Sequence, residues 1–201
     1  FQPVDFLVVG LGNPGPEYER TPHNLGFLVV DHLAIRNGNI RVTRPQCSAF
    51  AGVGKVANRE VVLAKPQTFM NLSGPSVKRL LEKYSLPPER LILVYDEMDL
   101  PWTALRIKTD GSAAGHNGVK SVIGSLGTQQ FIRVRIGIDP GERSKRGVSL
   151  VLGSFKPSQA KEVEELISFS AEAVESIIAE GAEKAMTRYN RRAQGLNEEA
   201  K

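Results

Sequence analysis

One cysteine, Cys47, and three histidines, His23, His32 and His116, are all that the 201 residues offer to thiol or imidazole chemistry. A single thiol closes no internal disulfide, so no cross-link stabilises the chain and a reducing compartment, the cytoplasm, is its expected location. There is no Cys/His zinc spacing and no histidine-rich tract, so the expected chemistry uses neither metal nor cofactor. No apolar run approaches the roughly 18 to 20 residues a spanning helix needs, and the first residues show neither a basic flank nor a cleavage pattern. Membrane and secreted classes are therefore not expected. Repeats, low-complexity tracts and linkers are also lacking. A composition of 41% hydrophobic and 24% charged residues suits one sizeable core. One domain over residues 1–201 is expected, with 196–201 as a frayed tail, and nothing in the pattern signals an oligomer interface, so a monomer is expected.

Charge is more informative by position than by its total of +4. Between positions 103 and 147, eight cations (Arg106, Lys108, Lys120, Arg133, Arg135, Arg143, Lys145 and Arg146) stand against Asp110, Asp139 and Glu142, a net of +5 that leaves −1 for the rest. In a chain of pI about 9.3, such an excess fits a surface that faces a polyanion. A solvated rim would look the same.

Phe6-Leu7-Val8-Val9 is a continuous apolar run ending at Gly10, the pattern of a strand buried on both faces and central in a sheet. Leu25, Leu28, Val29, His32 and Leu33 then fall at helical spacing, and Gly38 closes that helix. Alternation over 47–56 and 61–64 around Ala57-Asn58-Arg59 predicts a hairpin, and a helix follows over 72–84. Leu91-Ile92-Leu93-Val94-Tyr95 is a second buried strand, ending on Asp96 with Glu97 and Asp99 beyond it. A short strand over 105–108 and a helix over 118–126 come next. Over 132–136 the alternation turns Arg133 and Arg135 to one face and leaves the other apolar. Val163, Leu166, Ile167, Val174, Ile177 and Ile178 mark a long amphipathic helix ending at Gly181, followed by a basic helix with Arg188, Arg191 and Arg192. Strands and helices alternate throughout, so the expected fold is a single α/β domain with a mixed, mostly parallel twisted sheet and helices on both faces.

Gly10-Leu11-Gly12-Asn13-Pro14-Gly15 matches the G-x-G-x-x-G dinucleotide fingerprint after a strand. That site needs a helix opening on the glycines, whereas Pro14, Pro16 and Pro22 postpone the first helix to about Asn24, and Asp31 lies inside that helix and not at a strand end. The glycines instead let the backbone pass close to a ligand and place Asn13 at the carboxyl end of the first strand. Thr21-Pro22-His23-Asn24 holds a histidine on a restricted turn. If the strands ending at Gly10 and Asp96 are neighbours, His23 and Asp96 share the end of the sheet where open α/β folds bind ligands. A carboxylate on one imidazole nitrogen fixes the tautomer and makes the other a general base. No G-x-S-x-G elbow exists and Cys47 has no evident base, so water is the expected attacking group.

Two further loops deliver an asparagine. Lys65 to Gly74 contains Phe69, Asn71 and Ser73, where Asn71 or Ser73 reads more plainly as an N-cap, and Gly111 to Gly118 delivers His116 and Asn117 to a helix start, where a cap is again the plain reading. Three loops that each bring an amide toward a His/Asp pair suit recognition of peptide groups and an oxyanion.

The motifs G-L-G-N-P-G-x-x-Y, T-x-H-N-x-G, K-P-x-T-F-M-N-x-S-G, Y-D-E-x-D-L-P, G-H-N-G-x-K and F-x-R-x-R-I-G-I, in this order, closely resemble the bacterial-type peptidyl-tRNA hydrolase family over residues 6–189. The resemblance implies hydrolysis of the ester joining a peptide to the 3′ end of tRNA. It implies His23 as general base, Asp96 holding it in its active form, and Asn13 distinguishing a blocked peptidyl group from a free amino acid. Asn71 and Asn117 would contact the substrate or its attacking water, Tyr18 and Phe69 would line the site of the tRNA end, and Lys108 and Arg135 would meet tRNA phosphate along the acceptor stem. Both cations belong to the +5 segment, where a phosphate clamp is expected. Phe69 offers a sequence-tolerant stacking platform, with core packing as its plainer role. Residues 139–147, with Lys145 and Arg146, are expected to form a mobile lid or rim.

The chain departs from the family pattern at Pro22, where many relatives carry a basic residue, and at Ala113-Ala114, which replace common glycines. Two other classes compete. One branch resembling these hydrolases acts in organellar RNA splicing as a partner-binding protein, against which the retention of His23, Asp96 and the three asparagines speaks. A nucleotide-dependent oxidoreductase would need dinucleotide binding at Gly10 to Gly15.

Overall fold

The computed structural model describes residues 3–139, 141, 154–191 and 193. Among them run seven strands, β1 (Phe6–Gly10), β2 (Arg44–Gln46), β3 (Ala49–Val56), β4 (Arg59–Pro66), β5 (Leu91–Pro101), β6 (Leu105–Lys108) and β7 (Ile132–Asp139). Five helices accompany them: α1 (Leu25–Arg36), α2 (Ser73–Lys83), α3 (Asn117–Leu126), α4 (Ala160–Glu180) and α5 (Ala182–Tyr189). One mixed sheet in the order β2-β3-β4-β1-β5-β7-β6 organises the chain. The inner pairs β1/β4, β1/β5 and β5/β7 are parallel. The pairs β2/β3, β3/β4 and β6/β7 are antiparallel. No described helix is long and apolar enough to cross a membrane.

β1 is central, and all five of its residues are buried. Its alternation feeds two cores. Val8, with Leu63, Ile92 and Val94, packs under Leu25, Val29 and Leu33 of α1 and Val163, Leu166, Val174 and Ile177 of α4. Leu7 and Val9, with Val62 and Leu93, pack on the other side under Val77 and Leu80 of α2 and Val119 and Val122 of α3. A strand covered on both faces has no polar side, which is why these segments read as unbroken apolar runs.

The glycine-rich segment after β1 opens no α-helix: the chain passes through a 3-10 turn at Pro16–Tyr18 and another at Pro22–Asn24 before α1 begins. Gly10 serves packing. A Cβ there would lie 2.1 Å from the carbonyl oxygen of Gly26, and a Cβ on Gly26 would lie 2.4 Å from that of Val94. This close approach seats α1 on the centre of the sheet and brings His23, two residues ahead of α1, to the carboxyl end of β1 and β5.

Several expected boundaries shift. The β3/β4 turn has two residues, Ala57 and Asn58, both left-handed (φ 51 and 63), and Arg59 pairs with Val56. Two left-handed residues match the primed turn whose twist suits a tight hairpin. Cys47 and Ser48 form a second such turn and start β3 at Ala49, pairing it with the short strand β2, which the sequence hid behind Pro45 and exposed neighbours. β5 does not stop at Asp96: it runs on to Pro101, with a register shift against β7 between Glu97 and Pro101. Neither Asn71 nor Ser73 caps α2; Leu72 holds the N-cap position without a side-chain bond, and Ser73 Oγ donates to the Met70 carbonyl at 2.8 Å. α5 ends at Tyr189, so Arg191 lies beyond it. Residues 142–147, with Lys145 and Arg146, lie outside the described residues, as do Arg192 and the segment 196–201.

Candidate active site

His23 sits in the 3-10 turn Pro22–Asn24, where proline occupies the first helical position and its fixed φ pre-sets the turn. Its Nδ1 lies 2.5 Å from Asp96 Oδ2, in a pair whose side chains are 31% and 1% exposed. Nδ1–H donates to the carboxylate, so the free lone pair is on Nε2. The second oxygen of Asp96, Oδ1, lies 3.1 Å from His116 Nε2. His116 is also the N-cap of α3: its Nδ1 accepts the N–H groups of Gly118 at 3.1 Å and Val119 at 3.3 Å. Two donors on Nδ1 place the proton on Nε2, and the histidine is thereby a fixed donor to Asp96. The expected cap is present, and the same ring also bonds the Asp96 carboxylate.

These bonds set the local electrostatics. Burial pushes the Asp96 carboxyl up, but the hydrogen bonds from His116 and His23 outweigh it and hold the pKa down at about 2. The Asp96 hydrogen bond raises His23 above its ordinary 6.5, against burial, which lowers it. Tyr95 packs edge-on against His116 with ring centroids 5.0 Å apart, and burial pushes its hydroxyl up to about 12 despite the nearby Arg133 and Arg135.

Asn13 is held from behind. Its N–H donates to Asn24 Oδ1 at 2.8 Å, and Asn24 Nδ2 donates to its carbonyl at 2.9 Å. Asn24 is only 2% exposed, so this pair of hydrogen bonds is shielded from water. Sequence reasoning left Asn24 without a role, although it is the asparagine of the T-x-H-N-x-G motif, directly after His23 at a helix start.

A cavity of about 490 Å³ is lined by Asn13, His23, Met70, Asp96, Glu97, Met98, Asp99 and the segment Ala114, Gly115, His116 and Asn117. The structure thus brings Asn13, His23, Asp96 and Asn117 together. Asn71 is exposed, and it is the preceding Met70 that lines the cavity. Tyr18 ends the 3-10 turn Pro16–Tyr18 and is 40% exposed, while Phe69 is 72% exposed, which rules out core packing as its role.

The cations lie on the sheet. Arg106 is directly opposite Arg135 and Lys108 opposite Arg133, so all four project to one face, the face of Leu93 and Tyr95. They differ in access. Lys108 is exposed. Arg135 bonds through Nε to Glu97 Oε2 at 3.3 Å, with its side chain 14% exposed. Arg133 is 1% exposed, donates to the Ser112 and Gln129 carbonyls at 3.0 and 2.9 Å and lies 4.2 Å over the Phe131 ring. It ties the loops on either side of α3 to β7.

The sequence profile of the peptidyl-tRNA hydrolase family matches residues 7–198. The chain belongs to that family. It is 56% identical to the peptidyl-tRNA hydrolase of Solibacter usitatus (strain Ellin6076) over 194 residues, 96% of this chain and 98% of the relative. It is 42% identical to that of Bacillus subtilis (strain 168) over 184 residues, 92% of this chain and 97% of the relative. The crystal structure of peptidyl-tRNA hydrolase from Acinetobacter baumannii superposes with a TM-score of 0.84 at 31% identity, covering 96% of this chain and 98% of that one. As a family member the chain has the expected α/β fold, with the parallel centre of the sheet carrying the site at its carboxyl end.

Proposed function

We propose that the release of tRNA from peptidyl-tRNA, which this member of the peptidyl-tRNA hydrolase family carries out, uses His23 as general base and Asp96 and His116 as its supports. The observation that carries the reading is the shared carboxylate of Asp96, with one oxygen on each histidine, in a cavity that also holds Asn13 and Asn117. Water, positioned by Asn117, adds through oxygen to the ester carbonyl carbon while His23 Nε2 takes its proton. The tetrahedral oxyanion is stabilised by the amide of Asn117, which lines the cavity, while Asn71 is exposed outside that lining. Collapse breaks the carbon–oxygen bond to the ribose, and His23 returns the proton to the leaving oxygen. Cys47 sits in the β2/β3 turn and does not line the cavity, so it takes no part.

Asn13, clamped by Asn24, reads the blocked amino group of the peptidyl moiety. Tyr18 and Phe69 flank the tRNA end, and Lys108 and Arg135 meet phosphate of the acceptor stem. With its single thiol and a substrate from translation, the protein works in the cytoplasm, as a monomer.

The test is release of free tRNA from an N-blocked aminoacyl-tRNA and from the unblocked form, for the wild type and His23→Ala. Fast hydrolysis of the blocked ester alone, lost in the variant with tRNA binding retained, is the expected result. Undiminished turnover by His23→Ala would remove His23 as the base.

A further inference from the structure

Adjacent residues of β5 send carboxylates in opposite directions. Alternation turns Asp96 toward His23 and Glu97 to the other face, where Glu97 stands opposite Gly137 and diagonal to Arg135. Glu97 is 3% exposed, and both of its oxygens are used: Oε2 by Arg135 Nε at 3.3 Å, and Oε1 by the Asp99 N–H at 3.3 Å. It lines the same cavity as His23 and Asp96. A carboxylate this buried is costly unless paired, and Arg135 supplies the pair.

Arg135 in turn needs Glu97. Its directly opposite neighbour on β6 is Arg106, and like charges at such a position repel. The contact occupies Nε, which leaves the Nη groups, on a side chain 14% exposed, as the donors available to a phosphate.

We infer that Glu97 is a positioning residue for tRNA binding: it grips Arg135 by Nε and aims the rest of the guanidinium at a backbone phosphate of the tRNA. This rests on the reading of Arg135 as a phosphate contact. It also means that the strand carrying the catalytic carboxylate carries the support of the phosphate grip on the next residue.

The sign of the effect separates this role from simple charge. A carboxylate beside a polyanion-binding surface weakens binding, so its plain removal strengthens it. A positioning carboxylate does the reverse when lost. The experiment measures the Kd of deacylated tRNA across a salt series for Glu97→Met, which loses charge and acceptor at similar length, and Glu97→Gln, which loses only the charge. Glu97→Asp, which keeps the charge but retracts it, serves if the Met variant does not fold. The expected result is binding weakened about tenfold in the Met or Asp variant, with the salt slope reduced by about 0.9 as for one lost phosphate contact. Glu97→Gln should stay within about twofold of wild type, since its carbonyl still accepts from Nε. In an Arg135→Ala background, Glu97→Met should add nothing. Tighter or unchanged binding in the Met and Asp variants, or an equal loss with and without Arg135, overturns the role of Glu97 while leaving Arg135 in place. An Arg135→Ala variant with wild-type Kd and slope instead removes the phosphate reading, and the inference with it.

Discussion

His116 bonds to Asp96 through the oxygen that His23 leaves free, with His116 Nε2 3.1 Å from Asp96 Oδ1. Because His116 Nδ1 is taken by two backbone N–H groups of α3, the ring has no freedom to change tautomer while the helix is capped. The helix start thereby fixes the donor that holds Asp96 ionised. His116→Ala should lower kcat about tenfold, a fraction of the 10²–10⁴ supplied by acid–base catalysis, and cost about 1 kcal/mol for the lost cap. His116→Asn should restore the cap and thermal stability but not the rate, since the shorter side chain, engaged at the cap, does not reach Asp96. Recovery of both would make the ring a cap and nothing more.

The raised pKa of His23 gives the pH dependence its direction. As the proposed base, His23 must be neutral, so kcat/KM should rise with pH through an apparent pKa above 6.5, and Asp96→Asn should move that midpoint down along with the rate. Stability has the opposite slope on the same group. A histidine whose pKa is raised by folding stabilises fully below 6.5 and loses that contribution as pH climbs through the raised value. Asp96, held at about 2, stabilises above its ordinary 3.8 and loses that as pH falls. The gap in urea midpoint between wild type and Asp96→Asn should therefore be larger near about pH 5 than near about pH 8. An equal gap at both would show that the charge pair is not what the substitution removes.

Asn24 tests how Asn13 is held. Asn24→Leu keeps the volume but strips both hydrogen bonds from the Asn13 backbone. Leaving that N–H and carbonyl unpaired should cost about 1–3 kcal/mol, read as a lower Tm. The preference for N-blocked over free aminoacyl-tRNA should fall with it, because Asn13 no longer stands in a fixed place. A lower Tm with full discrimination would confine Asn24 to folding.

Phe69 gives the converse pattern. At 72% exposure its truncation removes little packing, so Phe69→Ala should leave stability within about 0.5 kcal/mol. Binding of a 3′-terminal RNA fragment should weaken at least fivefold, the low end of the ~1–3 kcal/mol a stacked base contributes. A core phenylalanine would instead cost about 3–5 kcal/mol in stability.

Residues that answer to their chain neighbours were readable in advance. The apolar run of Phe6 to Val9 required a strand covered on both faces, and the spacing of Val163, Leu166, Ile167, Val174, Ile177 and Ile178 required a helix with one buried side, as observed in β1 and α4. Pro22 and the helix start after it placed His23 on a turn. β2 was invisible because three residues, two of them exposed, carry no usable period. The end of β5 was misplaced because charge at Asp96, Glu97 and Asp99 reads as loop, whereas pairing with β7 keeps the backbone extended.

Periodicity and turn chemistry are properties of adjacent residues, so the sequence by itself determined the α/β class, the central strands and the set of polar residues available for chemistry. Which of them meet it gave only through the family resemblance and, for His23 and Asp96, on the condition that β1 and β5 are neighbours, as they are. His23 and Asp96 are 73 positions apart, and the same carboxylate takes up His116 only because α3 starts beside the end of β5. Asn71, delivered like Asn117 by a loop before a helix, and Phe69 beside it end up outside the cavity lining, where Met70 stands instead. Partners of this kind follow from sheet order, register and the seating of helices on two faces. Those are set by burial of the whole core at once, and tertiary structure alone decided them.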